Sequence, residues 1–127
     1  MQDIQYINSP SLASSVGHYS HAVIANGLVF LSGQLPVSAD GHKAGSFEEQ
    51  AQQIFQNLEN VLSECQSKKE CLVQVRVYIK DIEQWPKFNQ LYAQWIGDYR
   101  PARCVVPVPI LHFDSELEIE AIAQQIV

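Results

Sequence analysis

Apolar and polar positions repeat along this chain with a period that switches between two residues and about 3.6, and each switch marks a new element. Residues 4–7 fit a short strand, and a polar, small-residue stretch follows over 8–17. Two β-rich runs, 21–25 and 28–32, flank Asn26-Gly27. Both residues of that pair tolerate the positive φ of a type I′ turn, so the segment predicts a tight hairpin. Pro36 and the pair Asp40-Gly41 mark a loop.

Ser46 opens a helix. Its hydroxyl can accept from the amide three residues on, and Glu49 stands where it can reach back, which is a capping box. Glu48 and Glu49 also favour the positive end of the helix dipole. Ala51, Ile54, Phe55, Leu58, Val61, Leu62 and Cys65 fall on one face, and Gln52, Gln53, Gln56, Glu59, Asn60 and Ser63 largely on the other. Over 72–79, Val73, Val75, Val77 and Ile79 alternate with Gln74, Arg76 and Tyr78, the pattern of a strand. A second helix is predicted over 84–96, with Pro86 in its first turn, Gly97 after its end, and an apolar stripe of Phe88, Leu91, Tyr92, Trp95 and Ile96. Strands over 103–106 and 116–123 complete the chain.

The order is β-β-β-α-β-α-β-β, an α+β domain spanning 1–127 in which two helices cover one face of one sheet. On the last strand Leu117, Ile119, Ala121 and Ala123 point one way, and Glu118, Glu120 and Ile122 the other. If the apolar set meets the helices, Glu118 and Glu120 lie on the bare face with Gln74, Arg76 and Tyr78. Two carboxylates there imply either solvent or a polar subunit interface.

Composition narrows the function. With 127 residues, 46% hydrophobic and 17% charged, the chain can bury the core of one domain. No apolar run would span a bilayer, and no signal peptide is visible at the N-terminus. Cys65, Cys71 and Cys104 lack the close pairing of a metal site and read as reduced thiols, so a cytoplasmic setting is expected. A net charge of −6 argues against general binding to nucleic acid or anionic membrane. The histidines His18, His21, His42 and His112 have no metal-ligand spacing.

Four segments, in order and at suitable spacing, resemble the RidA (YjgF) family. They are Gly17-His18-Tyr19-Ser20, Leu31-Ser32-Gly33-Gln34-Leu35-Pro36, Arg100-Pro101-Ala102-Arg103, and Glu118-Ile119-Glu120-Ala121-Ile122-Ala123; Phe88-Asn89-Gln90-Leu91-Tyr92 matches a further helix motif. The resemblance covers nearly the whole chain. It implies a homotrimer in which three sheets line a central β-barrel, helices lie outside, and an active site sits in each cleft between subunits. Chorismate-mutase-like trimers share that architecture, so fold alone does not settle function. The implied activity is hydrolysis of 2-aminoacrylate, 2-iminobutanoate and related imines to 2-oxo acids and ammonia, with no metal or organic cofactor.

The resemblance also assigns roles. Arg103 would grip the substrate carboxylate through a planar guanidinium that lysine cannot reproduce. The Gly33 amide would share that carboxylate, since glycine at a strand end often marks close approach of a ligand. Glu118 would position or deprotonate water. Tyr19 would wall the pocket and Asn89 buttress it, while Glu120 is read as structural, paired with Arg76. Ser32 has no adjacent base for a serine hydrolase.

The chain departs from the common family pattern at three places. Val105 stands where a cysteine is frequent, and Cys104, one residue off, should face the opposite side of its strand. His18 and His21 replace Pro and Gln. Pro107 and Pro109 remove two backbone donors, which places 106–109 at an edge or an irregular turn. Two other functions compete with the deaminase: a non-enzymatic module sensing 2-oxo or amino acids through Arg103, and an RNA-cleaving activity, which the acidic balance disfavours.

Overall fold

The structure, a computed structural model, describes residues 3–15 and 17–126. Six strands form one mixed sheet: β1 (Gln5–Ile7), β2 (Ala22–Ala25), β3 (Leu28–Gln34), β4 (Leu72–Ile79), β5 (Ala102–Pro107) and β6 (Leu117–Gln124). Their spatial order is β1-β2-β3-β6-β4-β5, antiparallel except for the parallel β4–β5 pair. The turn joining β2 to β3 is tight because Asn26 and Gly27 take φ of 55° and 77°. Helices α1 (Phe47–Glu64) and α2 (Trp85–Ile96) pack on one face.

The capping box at Ser46 is fully formed: the Ser46 hydroxyl accepts from the Glu49 amide at 3.1 Å, and Glu49 Oε1 accepts from the Ser46 amide at 3.0 Å. Gly97 ends α2 at φ 76°, a conformation that favours glycine. The core joins the apolar face of α1 to Val75, Val77 and Ile79 of β4 and Leu117, Ile119 and Ala123 of β6. Phe55 lies at its centre, stacked on Trp95 with centroids 4.5 Å apart. Truncating such a buried ring to alanine costs about 3–5 kcal/mol.

Two buried residues of α1 fall outside the predicted apolar stripe. The Asn57 amide donates to the carbonyls of Leu35 and Val37 at 3.1 and 3.0 Å, and Gln50 Oε1 accepts from the Glu116 amide at 2.8 Å. Each supplies a partner to loop backbone that no strand satisfies. Among the described residues, no helix is long and apolar enough to cross a membrane.

Candidate active site

Strand pairing fixes where each candidate side chain points. In the parallel β4–β5 register Arg103 lies beside Val75 and Cys104 beside Arg76. Val75 is buried under the helices and Val105 packs on the same core, so Arg103 shares their face of the sheet. α2 receives it there. Arg103 Nη2 donates to Asn89 Oδ1 at 3.0 Å, and the guanidinium lies 4.7 Å from the centroid of the Tyr92 ring. An amide and an aromatic face therefore orient the group, and among the described residues no carboxylate stands within ion-pair distance of it. The Tyr92 hydroxyl is buried and has no hydrogen-bond partner among the described residues. The sequence pattern reads Tyr92 only as part of an apolar stripe. Cys104 is exposed on the opposite face.

Glu118 lies on the other side of the sheet. It faces Tyr78 across β6–β4, and Glu120 faces Arg76. Sequence reasoning pairs Glu120 with Arg76, but Glu120 Oε1 instead accepts from the Tyr78 hydroxyl at 2.5 Å, and no Arg76 ion pair forms among the described residues. A phenol one strand away reaches inward and ties this carboxylate into the sheet face. That bond also raises the Tyr78 pKa.

Glu118 meets Gly33 where β3 breaks register against β6, between Leu31 and Gln34. A Cβ added to Gly33 would overlap the Glu118 carboxylate, so any larger residue here would have to displace that side chain. Desolvation raises the pKa of half-buried Glu118; the Glu120 charge adds to the shift, and His112 opposes it. The Ser32 hydroxyl donates to the Ser20 carbonyl at 2.6 Å, consistent with a structural role. Gly33 and half-exposed Tyr19 line a cavity of about 260 Å³. Glu118 borders a neighbouring depression with His112 and Phe113, and Phe113 borders both.

Phe113 belongs to a 3₁₀ turn, His112–Asp114, that sequence reasoning leaves as irregular. Phe113 and Asp114 take φ of 60° and 53°, left-handed values that cost a non-glycine residue on the order of 1–3 kcal/mol. Three contacts hold the turn: Lys43 Nζ donates to the Phe113 carbonyl at 2.9 Å, Lys80 pairs with Asp114 at 2.5 Å, and the Ser115 hydroxyl donates to the His112 carbonyl at 2.7 Å.

His21 is buried. Its Nδ1 accepts from the Ser9 amide at 2.8 Å, so Nε2 carries the proton facing the Ala13 carbonyl at 3.0 Å. It acts as a loop tether.

One protomer thus brings Gly33, Tyr19 and Glu118 together, and separately Arg103 with Asn89. Arg103 and Glu118 lie on opposite faces with β4 between their strands. A six-stranded mixed sheet carrying two helices on one face, with these groups at its margins, defines a RidA-like α+β protein. The family described as Endoribonuclease L-PSP matches residues 9–125, and the chain belongs to it, the YjgF/RidA family of the sequence motifs. Protein HMF1 of Saccharomyces cerevisiae is 39% identical over 119 residues, covering 93% of this chain and 90% of its own. The crystal structure of the yeast protein YEO7 superposes with a TM-score of 0.95 at 35% identity, covering 98% of this chain and all (100%) of that one. The structure of Escherichia coli TdcF with bound serine superposes with a TM-score of 0.91 at 27% identity, covering 96% and 99%.

Proposed function

We propose that this chain is a cytoplasmic hydrolase that deaminates 2-imino acids, and their enamine tautomers such as 2-aminoacrylate, to 2-oxo acids and ammonia. The observation that carries the reading is Arg103: a guanidinium oriented by Asn89 and Tyr92, with no carboxylate partner among the described residues. Such a group is prepared for a carboxylate from outside the chain. The serine in TdcF, itself an amino acid carboxylate, supports the same ligand class.

In this reading Arg103 and the Gly33 amide hold the carboxylate. Glu118 takes a proton from water as its oxygen attacks the C=N carbon, giving a carbinolamine. That adduct then collapses to the 2-oxo acid, and the nitrogen leaves as ammonia with the protons returned to it. A carboxylate whose pKa desolvation has raised is a better proton acceptor than an ordinary glutamate and is suited to both transfers. No step calls for a metal or organic cofactor.

The two halves of the site can serve one substrate only if they come from different copies, and we infer a homotrimer with clefts between subunits. Among the described residues the outer edge of β5 has no partner strand, and the helix-free face exposes Phe30 and Val106, features that suit burial against another copy.

A non-enzymatic 2-oxo acid sensor would keep Arg103 and Gly33 but give Glu118 no task. RNA cleavage, suggested by the family's description, fits poorly with a net charge of −6. The test is release of ammonia and 2-oxo acid from imines generated in situ. The deaminase should accelerate it well above buffer; 2-oxo acid binding without acceleration would identify the sensor.

A further inference from the structure

The cavity beside Gly33 is larger and more apolar than a methyl- or ethyl-bearing imine requires. Leu12, Leu35, Val37 and Phe113 form much of its wall, and Gly33 and Tyr19 stand on its margin. The buried polar side chains bordering it make hydrogen bonds within the protein. Both ring nitrogens of His21 are bonded, the Gln34 amide donates to the Ser32 carbonyl at 3.1 Å, and Asn57 bridges two carbonyls while accepting from Gln53 at 3.0 Å. These bonds hold the wall together, and apolar side chains supply most of the surface that faces the interior. Its volume is about 260 Å³, whereas a dry engineered cavity of about 150 Å³ lined by aliphatic and aromatic side chains binds benzene.

Phe113 connects this cavity to the chemistry. It borders the cavity on one side and the Glu118 depression on the other. The strained, three-way anchored turn keeps it there, and backbone strain of that kind concentrates at ligand-binding positions. Gly33, on the cavity margin, sits directly against the Glu118 carboxylate.

We propose that this cavity receives the substrate side chain, with Phe113 as its specificity-determining wall, and that the preferred imines carry apolar side chains of branched-aliphatic or phenyl size. The proposal rests on the deaminase reading and names its substrate class.

The test is calorimetric titration of wild type with pyruvate, 2-oxobutanoate, 4-methyl-2-oxopentanoate and phenylpyruvate. The same series is run on Phe113→Gly and Phe113→Asn, paired with hydrolysis rates of the matching imines. Both variants remove the ring while accepting a left-handed backbone, so the turn is kept. Wild type should bind phenylpyruvate at least about tenfold more tightly than pyruvate, and both variants should reduce that ratio to about threefold or less. Equal affinities across the series, no binding of any 2-oxo acid, or a preference that survives in both variants overturns the proposal. If the preference is present but no imine is hydrolysed faster than in buffer, the deaminase reading fails and the subsite stands. If small imines are hydrolysed and large ones are not, the subsite fails and the deaminase stands.

Discussion

Gly33 and Glu118 compete for one volume: a Cβ on the glycine would occupy the space of the glutamate carboxylate. The overlapping atoms are at the far end of a flexible side chain, which can swing away. Gly33→Ala should therefore change stability by no more than about 1 kcal/mol. The displaced carboxylate no longer meets the attacking water, so turnover should fall by about a hundredfold. Thermal melting alongside imine hydrolysis separates the effects, and a variant that melts normally and turns over normally removes Glu118 from the reaction.

Glu118→Gln should raise stability. Desolvation chiefly raises the Glu118 pKa, so the fold carries a penalty whenever this group is ionised. The penalty is absent below the ordinary glutamate range and complete above the raised value. Glu118→Gln should melt above wild type at neutral pH, with the difference closing as pH falls toward the ordinary range. Its turnover should drop by roughly a hundred- to ten-thousand-fold, with 2-oxo acid affinity retained. In wild type, kcat/KM should decline as pH falls through the raised pKa, because protonated Glu118 cannot accept from water.

Arg103→Ala should weaken 2-oxo acid binding by about ten- to a hundredfold, the worth of a hydrogen bond to a charged group. Arg103→Lys should rescue little, because the planar fork is lost. Light scattering at micromolar concentration should give three times the chain mass. If each cleft combines Arg103 of one copy with Glu118 of the next, mixed trimers refolded from equal amounts of Arg103→Ala and Glu118→Gln chains should regain activity in roughly a quarter of their clefts. Mixtures as inactive as their parents would place both groups in one copy.

Cys104→Ser should retain substantial activity. The thiol is exposed on the face opposite Arg103, whereas Val105 shares the guanidinium's side. Steady-state kinetics on the assembled variant decide the point: lost turnover would put the thiol in the cleft.

Elements governed by local chemistry were legible in the sequence. The Asn26-Gly27 turn, the Ser46 capping box and the Gly97 helix end each depend on a few neighbouring residues, and period-two alternation assigned both faces of β6 and of β4 from Gln74 onward. Val73, read with the apolar face, is instead exposed where β4 shifts register against β6 between Leu72 and Gln74, and Leu72 is buried in its place. Strand order and cross-strand choices were not legible. Nothing local tells Glu120 to accept from Tyr78 rather than pair with Arg76, since both lie on the neighbouring strand. The left-handed Phe113 was also hidden, because a bulky aromatic disfavours that backbone and only the distant Lys43, Lys80 and nearby Ser115 hold it. Arg103, Asn89, Gly33, Tyr19 and Glu118 were legible as residues of interest through the motifs. Their division between two faces appeared only once the register was fixed.

The imidazole of His21 ties the segment bearing Ser9 and Ala13 to the start of β2, and that segment supplies Leu12 and Ala13 to the cavity wall. Swinging the wall outward would break both bonds, at about 1 kcal/mol net each, so an open form would hold only a few per cent of molecules on this ground alone. Bound side chains would then leave at a rate set by the opening of this latch. The Ser9 amide proton, shielded only while the latch is shut, would exchange with solvent on the same clock.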